Sequence, residues 1–390
     1  MDKYVAKQRS SSIEAFKILA IVLIVISHVV QTLELSGGAA IPLSGYGIAL
    51  SRATSDAQQL GLVLLRYSGV IGNTIFFVCS SWFLLESASV RKQKLLKMLA
   101  DIWTVSVVIM LVVLCVRKGC LTRGQIVGSL LPTTMENNWY LNCYMLFFAF
   151  HGMLNRLIGS ISKRTMFRAA AAMTAVYLIL SFFTLFTRSV FGSGSSFFSS
   201  TLIVWTVIYF IVGYLKLHAP KAADSIGFNV ILAVTGTIGF YGTILATNAV
   251  GLRITAISKS LMIWNVAYNP FLIAMVIGAF NLIRRIRFTS KAVNFVSRLS
   301  LFIYIIHENK LLRTLYRPLM WNYVYENYGY SHIIFWVFVI AAIVFAFGLA
   351  ASVIYYFSLH KLVESICNKA YPKLAGAWRS IENRLTNRSE

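Results

Sequence analysis

The groups best suited to move a proton in this sequence are two histidines and a carboxylate. His28 lies inside an otherwise apolar run, and His307-Glu308 sits near the end of another. An unperturbed imidazole titrates near pH ~6.5, so it can serve as a general base at neutral pH. Glu14, Lys17, Ile21, Ile24, His28, Gln31 and Leu35 recur at steps of three and four, which puts them on one helical face. Lys17 and His28 are about 16 Å apart along a helix axis. They cannot touch, but one long, thin ligand could meet both. The alternatives are a local Glu14–Lys17 pair with Lys17 reaching the membrane surface, and a structural interhelical hydrogen bond at His28. Ser300, Tyr304, His307 and Lys310 can also lie near one face. His28 and His307 sit at similar depths in their runs, so His28, His307 and Glu308 are expected to line one cavity. The competing reading places Tyr304, His307 and Glu308 at a water interface.

Uncharged polar residues could bind substrate. Asn73 and Ser80 share a face in a run where Gly69 and Gly72 permit close packing. Asn265, Tyr268 and Asn269 precede Pro270, which is expected to kink a helix. Tyr140, Tyr144 and His151 share another face, and His151 reads as structural or interfacial. The basic run Arg91-Lys92-Gln93-Lys94 could grip phosphates, or could simply face anionic lipid. Trp321, Tyr323, Tyr325, Tyr328 and Tyr330 could stack on sugars, although an interfacial aromatic belt is the commoner cause. The five scattered cysteines lack metal-ligand spacing, and no metal site is expected.

These residues need a scaffold, and composition supplies it. Of 390 residues, 58% are apolar and only 13% charged, with mean hydropathy +0.71. That excludes a soluble multidomain enzyme, a disordered chain and a nucleic-acid-binding domain. About ten apolar runs are long enough to span a bilayer: roughly 13–35, 60–86, 98–116, 138–158, 167–187, 198–217, 226–247, 260–283, 293–312 and 332–357. The expected fold is an all-α, polytopic transmembrane helical bundle, with an outer loop at 313–331. About 23 Lys and Arg fall on the side of the termini against about 11 opposite, which predicts N-in and C-in. The net charge of +23 is explained first by this bias. The first run is longer than a signal-peptide core and reads as a retained span. Residues 1–360 form one membrane domain, with 361–390 a basic cytoplasmic tail. No Walker A sequence is visible, which argues against an ATP-driven pump.

The sequence resembles the acyltransferase-3 family of bacterial integral membrane acyltransferases. Four ordered blocks carry the resemblance: the segment Ile13 to Ala20 followed by His28; Asn73 to Leu84; Asn138-Trp139-Tyr140-Leu141; and Ser300 to Asn309. It departs from the family in three places. Lys17 stands where the family has Arg, which keeps the charge but loses the bidentate fork. Ser80-Ser81 replaces a Ser-Gly pair, and Arg91-Lys92-Gln93-Lys94 replaces an Arg-x-x-Arg loop. The resemblance implies a bacterial plasma-membrane enzyme that moves an acyl group, acetyl first among candidates, from cytoplasmic acyl-CoA to a hydroxyl of an envelope glycan. With the in-phase stripe of the first run and the matching depth of His307, it makes His28, Lys17, His307 and Glu308 the expected catalytic residues. Asn73, Ser80, Trp139, Tyr140, Tyr304, Asn265 and Asn269 would bind substrate, and Arg91, Lys92 and Lys94 would bind CoA. Lipid and a glycan or glycolipid acceptor are the expected partners, with a homodimer also conceivable. The rival reading is a proton-coupled transporter or flippase, since buried histidines and Pro-broken helices occur there too. The absence of a visible internal repeat counts against it.

Overall fold

The computed structural model describes residues 10–33, 43–44, 47–48, 55–87, 92–116, 121–134, 139–191, 201–251, 269–329 and 331–386. The helices are α1 (Ser11–Thr32), α2 (Asp56–Arg66), α3 (Ser68–Leu84), α4 (Lys92–Val116), α5 (Arg123–Leu130), α6 (Trp139–Ser160), α7 (Lys163–Phe191), α8 (Thr201–Leu217), α9 (Pro220–Asp224) and α10 (Ile226–Gly251). They continue with α11 (Pro270–Ile283), α12 (Lys291–Arg298), α13 (Ser300–His307), α14 (Lys310–Leu315), α15 (Arg317–Tyr328), α16 (Ile333–Phe357) and α17 (Leu359–Thr386). A short antiparallel hairpin pairs β1 (Leu43–Ser44) with β2 (Gly47–Ile48).

Among the described residues, five stretches are long and apolar enough to cross a membrane: Ser11–Thr32, Leu60–Leu84, Lys92–Val116, Ile226–Ala246 and Ile333–Phe357. Thr201–Leu217 and Pro270–Ile283 are apolar but shorter. The chain is thus an all-helical membrane bundle. Burial orders the five. The apolar windows of α1 and of the α2–α3 pair are 61% and 72% buried, against 22% for α10 and 33% for α4 and α16. The first two therefore form the centre, and the others turn apolar faces outward, as lipid contact requires.

Close approach of α1 and α3 explains that centre. A Cβ added at Gly69 would lie 2.6 Å from Ser27 Oγ, and one at Gly72 would strike the Ala20 carbonyl oxygen. The helix rows therefore touch nearly backbone to backbone, where dispersion contacts are densest. The second run is broken at Tyr67, between α2 and α3. Ser68 Oγ reaches the Leu23 and Leu65 carbonyls at 2.7 and 2.6 Å, and Ser27 Oγ donates to Arg66 O at 2.5 Å. Of the carbonyls at the break, Arg66 O is thereby satisfied from α1 and Leu65 O by the first residue of α3, as burial demands.

Three expectations for the helices need correction. The run 293–312 is not one helix: it breaks at Leu299 and again at Glu308, where Asn309 Oδ1 caps α14 through Leu311 N at 3.0 Å. Pro270 does not kink a helix among the described residues; it opens α11, where its missing N–H costs nothing. The stretch 313–331, read as an outer loop, is mostly helical in α14 and α15. Past the membrane runs, α17 docks on α4 through Lys97–Glu364 at 2.7 Å and His360 Nδ1–Asp101 Oδ1 at 2.9 Å. The Lys97 hydrogen bond, and then its charge, hold the Glu364 carboxyl below its ordinary pKa.

Gly72→Val should lower the thermal midpoint of the detergent-purified protein, with an overpacking cost of about 1–3 kcal/mol. Gly124→Ala, whose Cβ meets nothing within 4 Å, should not lower it. Equal midpoints for both variants would contradict the packing described for α1 and α3.

Candidate active site

α1 carries His28 into contact with the far end of α13. His28 Nδ1 lies 2.8 Å from Glu308 Oε2 and 3.1 Å from His307 Nε2, and the two imidazole rings stack with centroids 5.3 Å apart. His307 Nδ1 is 2.7 Å from the Ile303 carbonyl oxygen, which can only accept. That bond assigns the His307 proton to Nδ1 and leaves a lone pair on Nε2. Both groups facing His28 Nδ1 are therefore acceptors, so the network places the His28 proton on Nδ1. The basic nitrogen of His28 is then Nε2. A carboxylate that holds one imidazole nitrogen so that the other can act is the orienting arrangement of hydrolytic triads.

The carboxylate is itself neutralised by arginines that the sequence reading missed. Arg313 Nη1 is 2.5 Å from Glu308 Oε1, and Arg317 Nη1 is 3.7 Å from Oε2. Arg317 is only 4% exposed. It donates to the His307 main-chain oxygen, and its Nη1 reaches His28 O and Thr32 Oγ1 at 3.3 Å each. One guanidinium thus ties both histidine backbones to one point. The last carbonyls of α1 are orphans by helix geometry, and Trp321 Nε1 takes that of Val29 at 3.0 Å. Trp321 is fully buried, which corrects its reading as a surface aromatic; Tyr323, Tyr325 and Tyr328 are exposed, and Tyr330 lies outside the described residues. The available signal was the i, i+4 spacing of Arg313 and Arg317, hidden by the assignment of 313–331 to a loop.

Donor atoms of His28, His307 and Glu308 lie within 4.8 Å of one another, as ligands of a cation would. Two guanidiniums also face the Glu308 carboxylate.

An aromatic wall adjoins the histidines. Tyr304 stands 5.7 Å from His307 and 5.9 Å from Tyr140, measured between ring centroids. Tyr140 donates from its hydroxyl to Asn73 O at 3.2 Å, and the half-exposed Trp139 packs edge-on against it. Asn73 Oδ1 is buried with no hydrogen-bond partner among the described residues. Ser80 lies seven residues along α3 from Asn73 and meets the Tyr144 hydroxyl. Asn269 serves as the cap of α11, accepting from Phe271 N and donating to Thr243 Oγ1 at 2.9 Å. Asn265 and Arg91 lie outside the described residues; Lys92 and Lys94 are exposed in the first turn of α4.

Lys17 takes the local alternative: its ammonium lies 3.5 Å from Glu14, whose Oε2 also accepts from Ser297 Oγ at 2.5 Å. Between Lys17 and His28, Ile21 and Ile24 are 0% and 1% exposed. The expected open track along this face of α1 is filled by packing, because Gly72 lets α3 press against Ile24.

A family model described as an acyltransferase domain, Acyl_transf_3, matches residues 10–356. It spans α1 to α16, with His28, His307, Glu308 and Arg317 inside it. The chain belongs to the acyltransferase-3 family of membrane acyltransferases and is a transferase by that membership. No curated protein and no solved structure matches it.

Arg317→Ala should destabilise the folded protein by about 3–5 kcal/mol, because it leaves a buried carboxylate with less compensation. Arg317→Lys should recover only part of this, since one ammonium cannot reach carbonyls on two helices at once. Thermal unfolding in detergent reads both effects.

Proposed function

We propose that the protein is an acyltransferase of the bacterial plasma membrane that carries an acyl group, acetyl first among candidates, from cytoplasmic acyl-CoA to a hydroxyl of an envelope glycan. His28 is the general base, acting through Nε2. Glu308 is the positioning residue that keeps the His28 proton on Nδ1, and His307 completes that alignment. The observation that carries the reading is the 2.8 Å contact of Glu308 with His28 Nδ1, inside a chain of this family.

The acceptor hydroxyl oxygen attacks the thioester carbonyl carbon while its proton passes to His28 Nε2. The tetrahedral oxyanion needs a hydrogen-bond donor, a role this reading gives to the Tyr304 hydroxyl, whose ring adjoins His307, or to the Asn73 amide. The C–S bond then breaks, and the proton on Nε2 passes to the departing sulfur, giving the O-acyl product and free CoA thiol. Lys92 and Lys94, with Arg91, meet the CoA phosphates at the N-terminal end of α4. Because the α1 face is filled, the pantetheine arm is better accommodated along α3 and α6, where the unpartnered Asn73 Oδ1 can accept from one of its amide N–H groups.

Incubation of the purified protein with radiolabelled acetyl-CoA and candidate glycans should yield labelled glycan. His28→Ala should lower that rate by about 10²–10⁴-fold while the protein still inserts and melts normally. Glu308→Gln should lower kcat more than it raises the KM for acetyl-CoA, as loss of an orienting carboxylate does. Wild-type transfer by a folded His28→Ala variant would refute the assignment.

A further inference from the structure

A cavity of about 360 Å³ lies between α5 and the start of α14, lined by Thr122, Gly124, Gln125, Gly128, Ser129, Asn309, Lys310 and Leu311. We infer that this cavity is the acceptor site and that it holds one saccharide unit with a hydroxyl directed at His28. The inference rests on the acyltransferase reading above and adds to it the place and residues of the second substrate.

The position follows from the chain. Asn309 and Lys310 are the two residues after Glu308, and successive Cα atoms are about 3.8 Å apart. The wall of the cavity therefore begins one residue after the one whose carboxylate contacts His28. α5 is built for the opposite wall. Gly124, Gln125, Gly128 and Ser129 form two adjacent i, i+4 rows on one side, while Val127, Leu130 and Leu131 are exposed on the other. Trp103 Nε1 fixes its end by donating to Leu130 O at 3.2 Å. The helix turns a polar and small-residue face to the cavity and an apolar face away from it.

The mostly apolar lining carries a few donors with capacity to spare. Asn309 is only 7% exposed, and its Oδ1 accepts from Leu311 N, yet its Nδ2 has no partner among the described residues. Gln125 spends its Oε1 on the Thr122 cap, and its Nε2 has no partner among the described residues. Lys310 has no carboxylate within reach among the described residues, and Ser129 Oγ donates to Gln125 O with lone pairs to spare. Separate N–H donors spread along a wall, with only one full charge, suit several hydroxyl and ring oxygens better than a single phosphate. The glycine surfaces and Leu311 offer flat apolar patches to the C–H face of a ring. The volume is at the small end of ligand sites, which run about 300–1,000 Å³, so a sugar unit fits and a polymer must lie partly outside.

The test measures CoA release from acetyl-CoA by the purified full chain, with methyl glucoside, maltose and chitobiose as acceptors and glycerol and a long-chain alcohol as non-sugar controls. The glycosides should stimulate release saturably. Gly124→Trp, which projects into open space at the cavity, should raise the glycoside KM about tenfold or more without moving the KM for acetyl-CoA. Lys310→Met, at an exposed position that does not endanger folding, should raise it about threefold. Gly376→Trp, also in open space but on α17, should shift neither constant. If glycosides stimulate release and both cavity variants keep the wild-type KM, the site is elsewhere. If only glycerol or the alcohol is acylated, the saccharide assignment is overturned. A wild-type protein that neither binds nor consumes acetyl-CoA would defeat the acyltransferase reading itself, a result distinct from the other two.

Discussion

A carboxylate buried between helices must be neutralised at contact, because the surroundings cannot solvate it. Glu308 is that group, and much of the arrangement around it follows from this need. Arg313 approaches one oxygen, while Arg317 and His28 approach the other. A continuous helix past residue 307 would carry the two arginines along and away from a carboxylate on the same helix. The chain instead stops at Glu308, caps α14 with Asn309, and turns so that α14 and α15 fold both arginines back. The same turn seats Trp321 on the end of α1.

The consequence for chemistry is a fixed tautomer. The Ile303 carbonyl accepts from His307 Nδ1, and His28 Nδ1 bonds to His307 Nε2 with the Glu308 carboxylate in contact beside it, which leaves Nε2 of His28 as the basic nitrogen. Such an arrangement needs no reorganisation when a proton is transferred, which is where preorganised sites gain most. The far end of α1 is held in a similar way. Glu14 is clamped by Lys17 and Ser297, and Ser11 takes part in hydrogen bonds with Asn294 and Ser290. The helix bearing His28 is thus pinned at both ends to the α12–α13 segment that bears His307.

Central packing decides how a donor could reach the histidines. Gly69 and Gly72 bring α3 so close to α1 that Ile21 and Ile24 are enclosed. Polar groups remain on the other flank, where Asn73, Ser80, Tyr140 and Tyr304 follow α3, α6 and α13. The cavity beside α5 lies at the end of the bundle where α13 gives way to α14. The segment that bears His307 thus has the polar residues of α3 and α6 on one flank and leads, in the two residues after Glu308, into the wall of that cavity.

Some of this was written in the residues. Apolar runs separated by basic segments required a membrane bundle, since no other fold can bury so much apolar surface. Helical periodicity put Glu14, Lys17 and His28 on one face, and counting depth along two runs set His28 level with His307, which is where the two rings meet. The glycine pair foretold close packing of its helix. Periodicity is a property of one segment, however, and says nothing about which neighbour fills a face. Only the folded bundle decided that the stripe between Lys17 and His28 is occupied by α3, that Pro270 begins a helix instead of bending one, and that Arg317 and Trp321 are enclosed. Each of those outcomes depends on contacts between residues far apart in the chain, and hydrogen-bond satisfaction of a buried charge is settled across helices rather than along them.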